Sequence, residues 1–297
     1  MLLKTYENSS DFLARTQPEL EKEEAANNLM IGICLRLVRD PNSYQAKPIL
    51  YTVEKDRDQA APELVLAVVQ TPPHNLILHV PSGVSKTDLD EALDQLGRQL
   101  EQDGTSVPGV LGRSEVARAF AAFWSHRTGC QTKPGMRERA YELRKVILPA
   151  GVPGRMRKAV DADTALVVEW TNAFSMEIFG HVEGEVTPEE AGRRVRAMYL
   201  WEDETGRVVS LAGSTRETPH GASVGPVYTP RELRGHGYAS ACVAALSQTL
   251  LDSGKAFCAL FTDLANPISN HIYQEIGYRP LCDFEEHLFG NAEPIID

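Results

Sequence analysis

Between Val224 and Ser240 the chain reads V-G-P-V-Y-T-P-R-E-L-R-G-H-G-Y-A-S. A strand-like run ends at Thr229–Pro230. A turn with Gly235 and Gly237 follows, and from about Gly237 the small and apolar residues Ala239, Ala241, Val243, Ala244 and Leu246 continue as a helix. The spacing matters because the first four N–H groups of a helix lack internal acceptors and carry partial positive charge. Glycine at the helix entry lets the backbone take positive φ and come close to an anion. Strand, glycine turn and helix together form a cradle for a pyrophosphate, and Arg234 adds a positive charge and a fork of donors. Tight packing alone would also account for a Gly-x-Gly turn. The stretch is neither a Walker A loop nor the G-x-G-x-x-G of a dinucleotide fold.

A second informative stretch follows after one more helix and one more strand: Asn266-Pro267-Ile268-Ser269-Asn270-His271-Ile272-Tyr273-Gln274-Glu275-Ile276-Gly277-Tyr278. With it, the sequence resembles the GCN5-related N-acetyltransferase (GNAT) superfamily over about Val160–Leu288. The family's acyl-CoA loop, Q/R-x-x-G-x-G/A, is matched by Arg234-Gly235-His236-Gly237-Tyr238-Ala239, and its N-x-x-x-x-x-x-Y-x-x-x-G-[FY] by the second stretch. The V-Y-T-P before the loop is similar to a branch that carries an additional N-terminal domain. Residue 231 is Arg where that branch often has Pro.

The resemblance implies acetyl-CoA as cosubstrate, no metal, and a primary amine as acceptor, on a small molecule or on lysine. It implies that the backbone amides of Arg234, Gly235, His236, Gly237, Tyr238 and Ala239 hold the pyrophosphate. Val227, Tyr228 and Thr229 would pair with the pantetheine arm, and Tyr273 would protonate the departing thiolate. Asn266 and Asn270 are candidate cofactor contacts, although as helix-capping residue types they need no such role. Pro226 fits independently, because proline cannot donate to a sheet ladder and belongs where pairing is open. A core aromatic is the bland alternative for Tyr273, and solvent or the phosphates are the expected surroundings of His236.

An alkylammonium must lose a proton before it attacks a thioester, and a donor such as the N–H near Val227 or Tyr228 must stabilise the oxyanion. The strand Ala222–Tyr228 carries no carboxylate, which leaves Glu177, Glu217 and His220 as base candidates, none preferred. A non-catalytic acyl-CoA-binding protein is the alternative function.

The elements that position these residues follow from periodicity and punctuation. In the second half the reading is helix Val160–Ile178, a Thr187-capped helix Pro188–Leu200, strands Arg207–Ser214 and Ala222–Tyr228, helix Gly237–Ser253, strand Ala256–Thr262, helix Asn270–Ile276 and strand Leu281–Leu288. The first half reads as a helical stretch Ser10–Val38, broken near Asn27–Asn28, then strands Pro48–Glu54, Leu64–Gln70 and Asn75–Val80. A helix from Thr87 to about Glu101, capped by Thr87 or Asp88, is followed by strand Val107–Leu111, helix Ser114–His126 and strand Ala140–Leu148. A polar connection around Asp56–Pro62 joins the first two strands.

Pro149, Gly151, Pro153 and Gly154 mark a linker, so the expected domains are 1–150 and 151–297. The fold class is α/β (α+β): a C-terminal GNAT fold with a mixed, splayed sheet flanked by helices, and an N-terminal α/β domain that reads as a degenerate copy. That N-terminal half has no matching cofactor loop, since Val80–Leu89 offers one glycine and no R/Q-x-x-G-x-G/A. Phe120, Phe123 and Trp124 read as core.

Composition narrows the classes. The chain has 297 residues, 42% hydrophobic and 24% charged, with net charge −11. That sign argues against nucleic acid as a partner. Residues 151–297 hold 12 Lys+Arg against 21 Asp+Glu, so the acidity is concentrated there. Five cysteines without a C-x-x-C pair argue against a disulfide framework or zinc site and read as small buried thiols. The N-terminus lacks an apolar h-region and no run approaches membrane-spanning length, so the expectation is a cytoplasmic protein without membrane contact.

Overall fold

Capping chemistry and short apolar runs set the elements. The computed structural model describes residues 1–44, 46–57, 61–182 and 186–290. In chain order these form β1 (Leu2–Thr5), α1 (Ser9–Leu20), α2 (Asn28–Arg39), β2 (Ile49–Lys55), β3 (Glu63–Gln70), β4 (Leu76–His79), α3 (Lys86–Gln102), β5 (Gly109–Arg113), α4 (Ser114–Thr128) and β6 (Thr132–Leu143). Then come β7 (Arg155–Lys158), α5 (Thr164–Phe179), α6 (Pro188–Ala197), β8 (Met198–Glu202), β9 (Val208–Glu217), β10 (Gly221–Tyr228), α7 (Tyr238–Asp252), β11 (Phe257–Asp263), α8 (Pro267–Glu275) and β12 (Arg279–Phe289). The chain divides into two compact units: Met1–Arg139 together with the described residues from Cys282 onward, and Ala140–Leu281. The sequence boundary at residue 150 therefore falls inside the second unit.

In the first unit β1, β2, β3 and β4 pair antiparallel in succession, β4 pairs parallel with β5, and β12 pairs antiparallel with β5. Both faces of this sheet are covered, which is why β3 is a continuous apolar run. Val65 and Val68 join one core with Leu93, Leu96 and Phe120, while Leu64, Ala67 and Val69 join another with Phe12, Ile31 and Leu37. The break expected near Asn27–Asn28 is present. A 3-10 turn at Glu21–Glu23 follows α1. Asn27 Nδ2 then donates to Leu20 O at 2.9 Å and Asn28 Nδ2 to Ala25 O at 2.6 Å, satisfying carbonyls that the interrupted helix frees.

In the second unit β7, β8, β9 and β10 pair antiparallel in succession and β10 pairs parallel with β11. Cys242, Val243 and Leu246 of α7 pack on one side of this sheet with Val209, Ala222 and Leu260. Trp170 of α5 and Val195 of α6 pack with Leu200 and Leu211. Along the chain the order strand–helix–helix–three strands–helix–strand–helix–strand occurs twice, as β1 to β6 and as β7 to β12, with the same sequence of pairings up to the parallel pair. Both sheets are mixed and flanked by helices, the layout expected from sequence. The five cysteines are free; Cys34, Cys242 and Cys258 are buried and Cys130 and Cys282 half-buried. Burial pushes the Cys242 thiol up to about 12. Among the described residues no helix is long and apolar enough to cross a membrane.

Several local readings are corrected. Ser85, not Thr87 or Asp88, caps α3, accepting from Asp88 N. The helix expected to run to Leu200 ends at Ala197, because Met198–Glu202 is pulled into strand β8 by pairing with β7 and β9. The strand expected at Ala140–Leu148 instead spans Thr132–Leu143. Strands β1 and β7 have too few residues to show a period. The connection around Asp56–Pro62 lies partly outside the described residues.

Candidate cofactor and catalytic site

The twelve candidate cofactor-binding and catalytic residues lie in the second unit, on β10, on the loop after it, and on α7 and α8. Because β10 and β11 run parallel, their carboxyl ends lie at the same end of the sheet, where α7 and α8 begin. The parallel pairing covers only Gly221↔Phe257, Ala222↔Cys258 and Ser223↔Ala259. Pairing of β10 with β9 continues to Val227↔Ala212 and Tyr228↔Leu211, through register shifts at Ser223/Val224 and Val224/Gly225. Among the described residues, the edge of β10 that faced β11 is unpaired from Val224 on. Pro226 stands on this open edge, where a missing N–H costs no ladder bond.

The loop then turns through a 3-10 segment at Arg231–Leu233 into Arg234–Gly237. Gly235 and Gly237 have φ of 81° and 78°. Gly237 is the N-cap of α7 and supplies no side-chain cap, and the first helical turn holds no acidic residue. The first helix bond runs from Ala241 N to Gly237 O at 3.0 Å. The amides of Tyr238, Ala239 and Ser240 thus have no acceptor within the helix. The repeat in the first unit differs in this respect. There Ser85 Oγ caps α3, and Asp88, held low by hydrogen bonds from Lys55 and Ser85, puts an anion in the first turn.

Side chains around the loop are largely committed. Arg234 donates Nε to Thr229 O at 2.8 Å and Nη1 and Nη2 to the two oxygens of Glu177 at 2.8 and 2.7 Å. Its fork points at α5 rather than toward an approaching anion. That bond holds the Glu177 carboxyl below its ordinary range, the direction that weakens a base. The Tyr228 ring packs on Trp170 at 5.9 Å and under the Arg234 guanidinium at 5.9 Å. Thr229 Oγ1 lies 2.9 Å from Ser210 Oγ. His236 stacks on Tyr238 at 5.5 Å and, since only its ring can donate to a carbonyl, places an Nδ1 proton on Arg234 O at 2.9 Å.

On α8, Asn266 accepts from Ser269 N at 3.1 Å, the cap its residue type suggests. Asn270 donates to Asp263 O and Asn266 O at 2.8 and 2.7 Å and accepts from the buried Tyr141 hydroxyl at 2.9 Å. Tyr273 sits in the next turn, its ring against Tyr278 at 5.9 Å. Its hydroxyl has no hydrogen bond among the described residues, and burial pushes it up to about 12. Val227, Tyr238 and Tyr273 border the same buried cluster. Glu217 and His220 lie at the other end of β10, Glu217 paired with Lys255 at 3.0 Å. An eight-residue strand at about 3.3 Å per residue separates them from the loop by roughly 25 Å.

The residues that sequence reasoning missed are Tyr141, Trp170 and Ser210, which position Asn270, Tyr228 and Thr229. They carry no local signal, because each acts across the fold.

Residues 204–287 match the FR47-like protein family. No curated protein matches the chain. Among solved structures, a Drosophila protein superposes with TM-score 0.64 at 13% identity, covering 97% of this chain and 98% of that one. A GCN5-related N-acetyltransferase from Sphaerobacter thermophilus superposes with TM-score 0.58 at 17% identity, covering 100% and 97%. A tandem GNAT protein from the clavulanic acid biosynthesis pathway does so with TM-score 0.56 at 15% identity, covering 99% and 100%. At such identities the likeness is one of fold.

Proposed function

We propose that this chain, which has the fold of the GCN5-related N-acetyltransferases in tandem arrangement, moves an acetyl group from acetyl-CoA to a primary amine by direct attack. The observation that carries this reading is the open edge of β10 beside the uncapped N-terminus of α7. Amides of the Arg234–Ala239 loop and of the first helical turn fit a pyrophosphate. The Val227–Thr229 backbone fits the amides of a pantetheine arm, while Asn266 caps α8 and Asn270 ties that helix to Asp263 at the end of β11.

The acceptor nitrogen attacks the thioester carbonyl, and a backbone N–H near Val227 or Tyr228 stabilises the oxyanion. As the C–S bond breaks, the Tyr273 phenol, kept neutral by burial, gives its proton to the thiolate. Glu177 is tied to Arg234, and Glu217 and His220 are remote. This favours loss of the ammonium proton to water rather than to a side chain. The acceptor is a small-molecule or lysine amine, and the setting is cytoplasmic.

Acetyl-CoA-dependent thiol release with a panel of polyamines, aminoglycosides, amino acids and lysine peptides tests this. Release with at least one amine, retained at saturating acetyl-CoA, is the expected result. Acetyl-CoA binding without release for any amine would replace the transferase with an acyl-CoA-binding protein.

A further inference from the structure

Helix α8 carries Tyr273 but fully buries none of its own residues. It is nine residues long, too short to hold itself in water, so contacts outside it must fix its place. Its two ends are fixed differently. Just beyond the last turn, Ile276 and Tyr278 lie in the core at 1% and 2% exposed, and Ile276 O accepts from Ile147 N at 2.9 Å. The first turns have no such apolar anchor, since Pro267, Ile268 and His271 are exposed. What ties that end down is the side chain of Asn270.

The bonds of that amide are fully assigned. Nδ2 donates its two protons to Asp263 O at 2.8 Å and Asn266 O at 2.7 Å. This sets the orientation of the amide, so Oδ1 is the atom that faces Tyr141, and the Tyr141 hydroxyl donates to it at 2.9 Å. Tyr141 is 0% exposed and belongs to the same buried cluster as Cys258 and Leu260 of β11 and Ile276. Its ring is therefore a strut rooted in close-packed surroundings, and its hydroxyl passes the position of the core to the first turns of α8. Without that hydroxyl, Asn270 Oδ1 loses its donor, and the amide must turn or move to find another.

Tyr273 stands between the two anchors, one turn beyond Asn270 and three residues before Ile276. Among the described residues no hydrogen bond directs its hydroxyl, and its ring rests against Tyr278 at 5.9 Å. The helix backbone thus aims the phenol, and the Tyr141 bond aims the helix. We propose, on the acetyl-transfer reading above, that Tyr141 is a positioning residue for Tyr273. Its bond to Asn270 fixes the first turns of α8 and so sets how far the Tyr273 hydroxyl lies from the departing sulfur. Misplacement by about 1 Å can cost about 100-fold in rate. Tyr141→Phe leaves the other two bonds of Asn270 in place, so its displacement and its cost should be smaller.

The test is a double-mutant cycle in the full chain: Tyr141→Phe, Tyr273→Phe and both together. Thiol release gives kcat at saturating acetyl-CoA with the fastest amine among polyamines, aminoglycosides, amino acids and lysine peptides. Hydrogen exchange of the α8 amides is followed without either substrate. Tyr141→Phe should lower kcat by about tenfold and change acetyl-CoA affinity by about twofold or less. In the Tyr273→Phe background the same substitution should cost about twofold or less, because the hydroxyl it aims is already gone. Exchange from Asn270 to Glu275 should quicken about threefold or more in Tyr141→Phe, while α7 keeps its wild-type rates. An unchanged kcat in Tyr141→Phe, or an equal loss in both backgrounds, would overturn the proposal. So would unchanged exchange in α8, a result that needs no activity. A wild type that releases thiol with no amine removes the transfer reading and this role of Tyr141 with it. An active wild type with an additive cycle overturns the role of Tyr141 alone.

Discussion

Arg234 bridges the turn before α7 to α5: its two terminal nitrogens bond both oxygens of Glu177 at 2.8 and 2.7 Å, while Nε holds the Thr229 carbonyl at 2.8 Å. The guanidinium therefore shapes the loop whose amides would meet phosphate. Arg234→Ala should weaken acetyl-CoA binding by a few-fold, and Glu177→Gln by less, in calorimetric titration. Both side chains are partly exposed, at 41% and 32%, so a double-mutant cycle should give a coupling of about 1 kcal/mol or less. Glu177 has its folded pKa depressed by the Arg234 bond. The tie is therefore present above the ordinary glutamate range and is lost as pH falls through the depressed value. Affinity that stayed flat across that acid window would remove the pair from loop positioning.

Gly237 is constrained twice. Its φ is 78°, and an added Cβ would lie 2.9 Å from Val152 Cγ2. Gly237→Val should lower stability by about 1–3 kcal/mol through backbone strain and weaken acetyl-CoA binding more than Arg234→Ala does. Gly237→Ala combined with Val152→Ala relieves the contact but not the φ, so the melting temperature should recover only in part. Unchanged acetyl-CoA affinity in Gly237→Val would sink the loop assignment.

Cofactor stoichiometry separates the two units. The N-terminus of α3 is already filled by Ser85 and faces the Asp88 carboxylate, whereas α7 starts from a bare glycine. An anion is favoured at the second and repelled at the first. Titration should give one acetyl-CoA per chain, and two would overturn this reading of α3.

Tyr273→Phe keeps the ring and removes a hydroxyl that bonds to nothing among the described residues. The expected result is nearly intact acetyl-CoA affinity with kcat lowered by about 100-fold or less, since a thiolate leaves with modest help. Burial raises the phenol from 10.0 to about 12. The unfolded chain would therefore release this proton first, and ionisation would favour unfolding between those values. The Phe variant should lose part of that alkaline decline in denaturant titrations. An unchanged kcat where chemistry limits the rate would leave Tyr273 as a core aromatic.

Much of the fold was legible because its signals are local. Thr187 followed by Pro188 marks the start of α6, and Thr187 Oγ1 accepts from Glu190 N as a cap should. The short apolar runs of β9 and β10 and the glycine turn into α7 are likewise written in neighbouring residues. Met198–Leu200 misled because its apolar spacing continues that of α6; strand pairing on both sides overrode it. Strand β6 misled in the opposite sense, since polar Thr132–Arg137 shows no alternation that would mark a strand.

The sequence by itself determined the loop at 234–239, its glycines and the helix it opens, because positive φ and an uncapped helix start are properties of adjacent residues. Only the tertiary structure decided where pairing between β10 and β11 stops, that Asn270 is held by Tyr141, and that Arg234 turns toward Glu177, 57 positions away. A charged side chain finds its partner through the space the fold creates, and the distance along the chain carries no record of that.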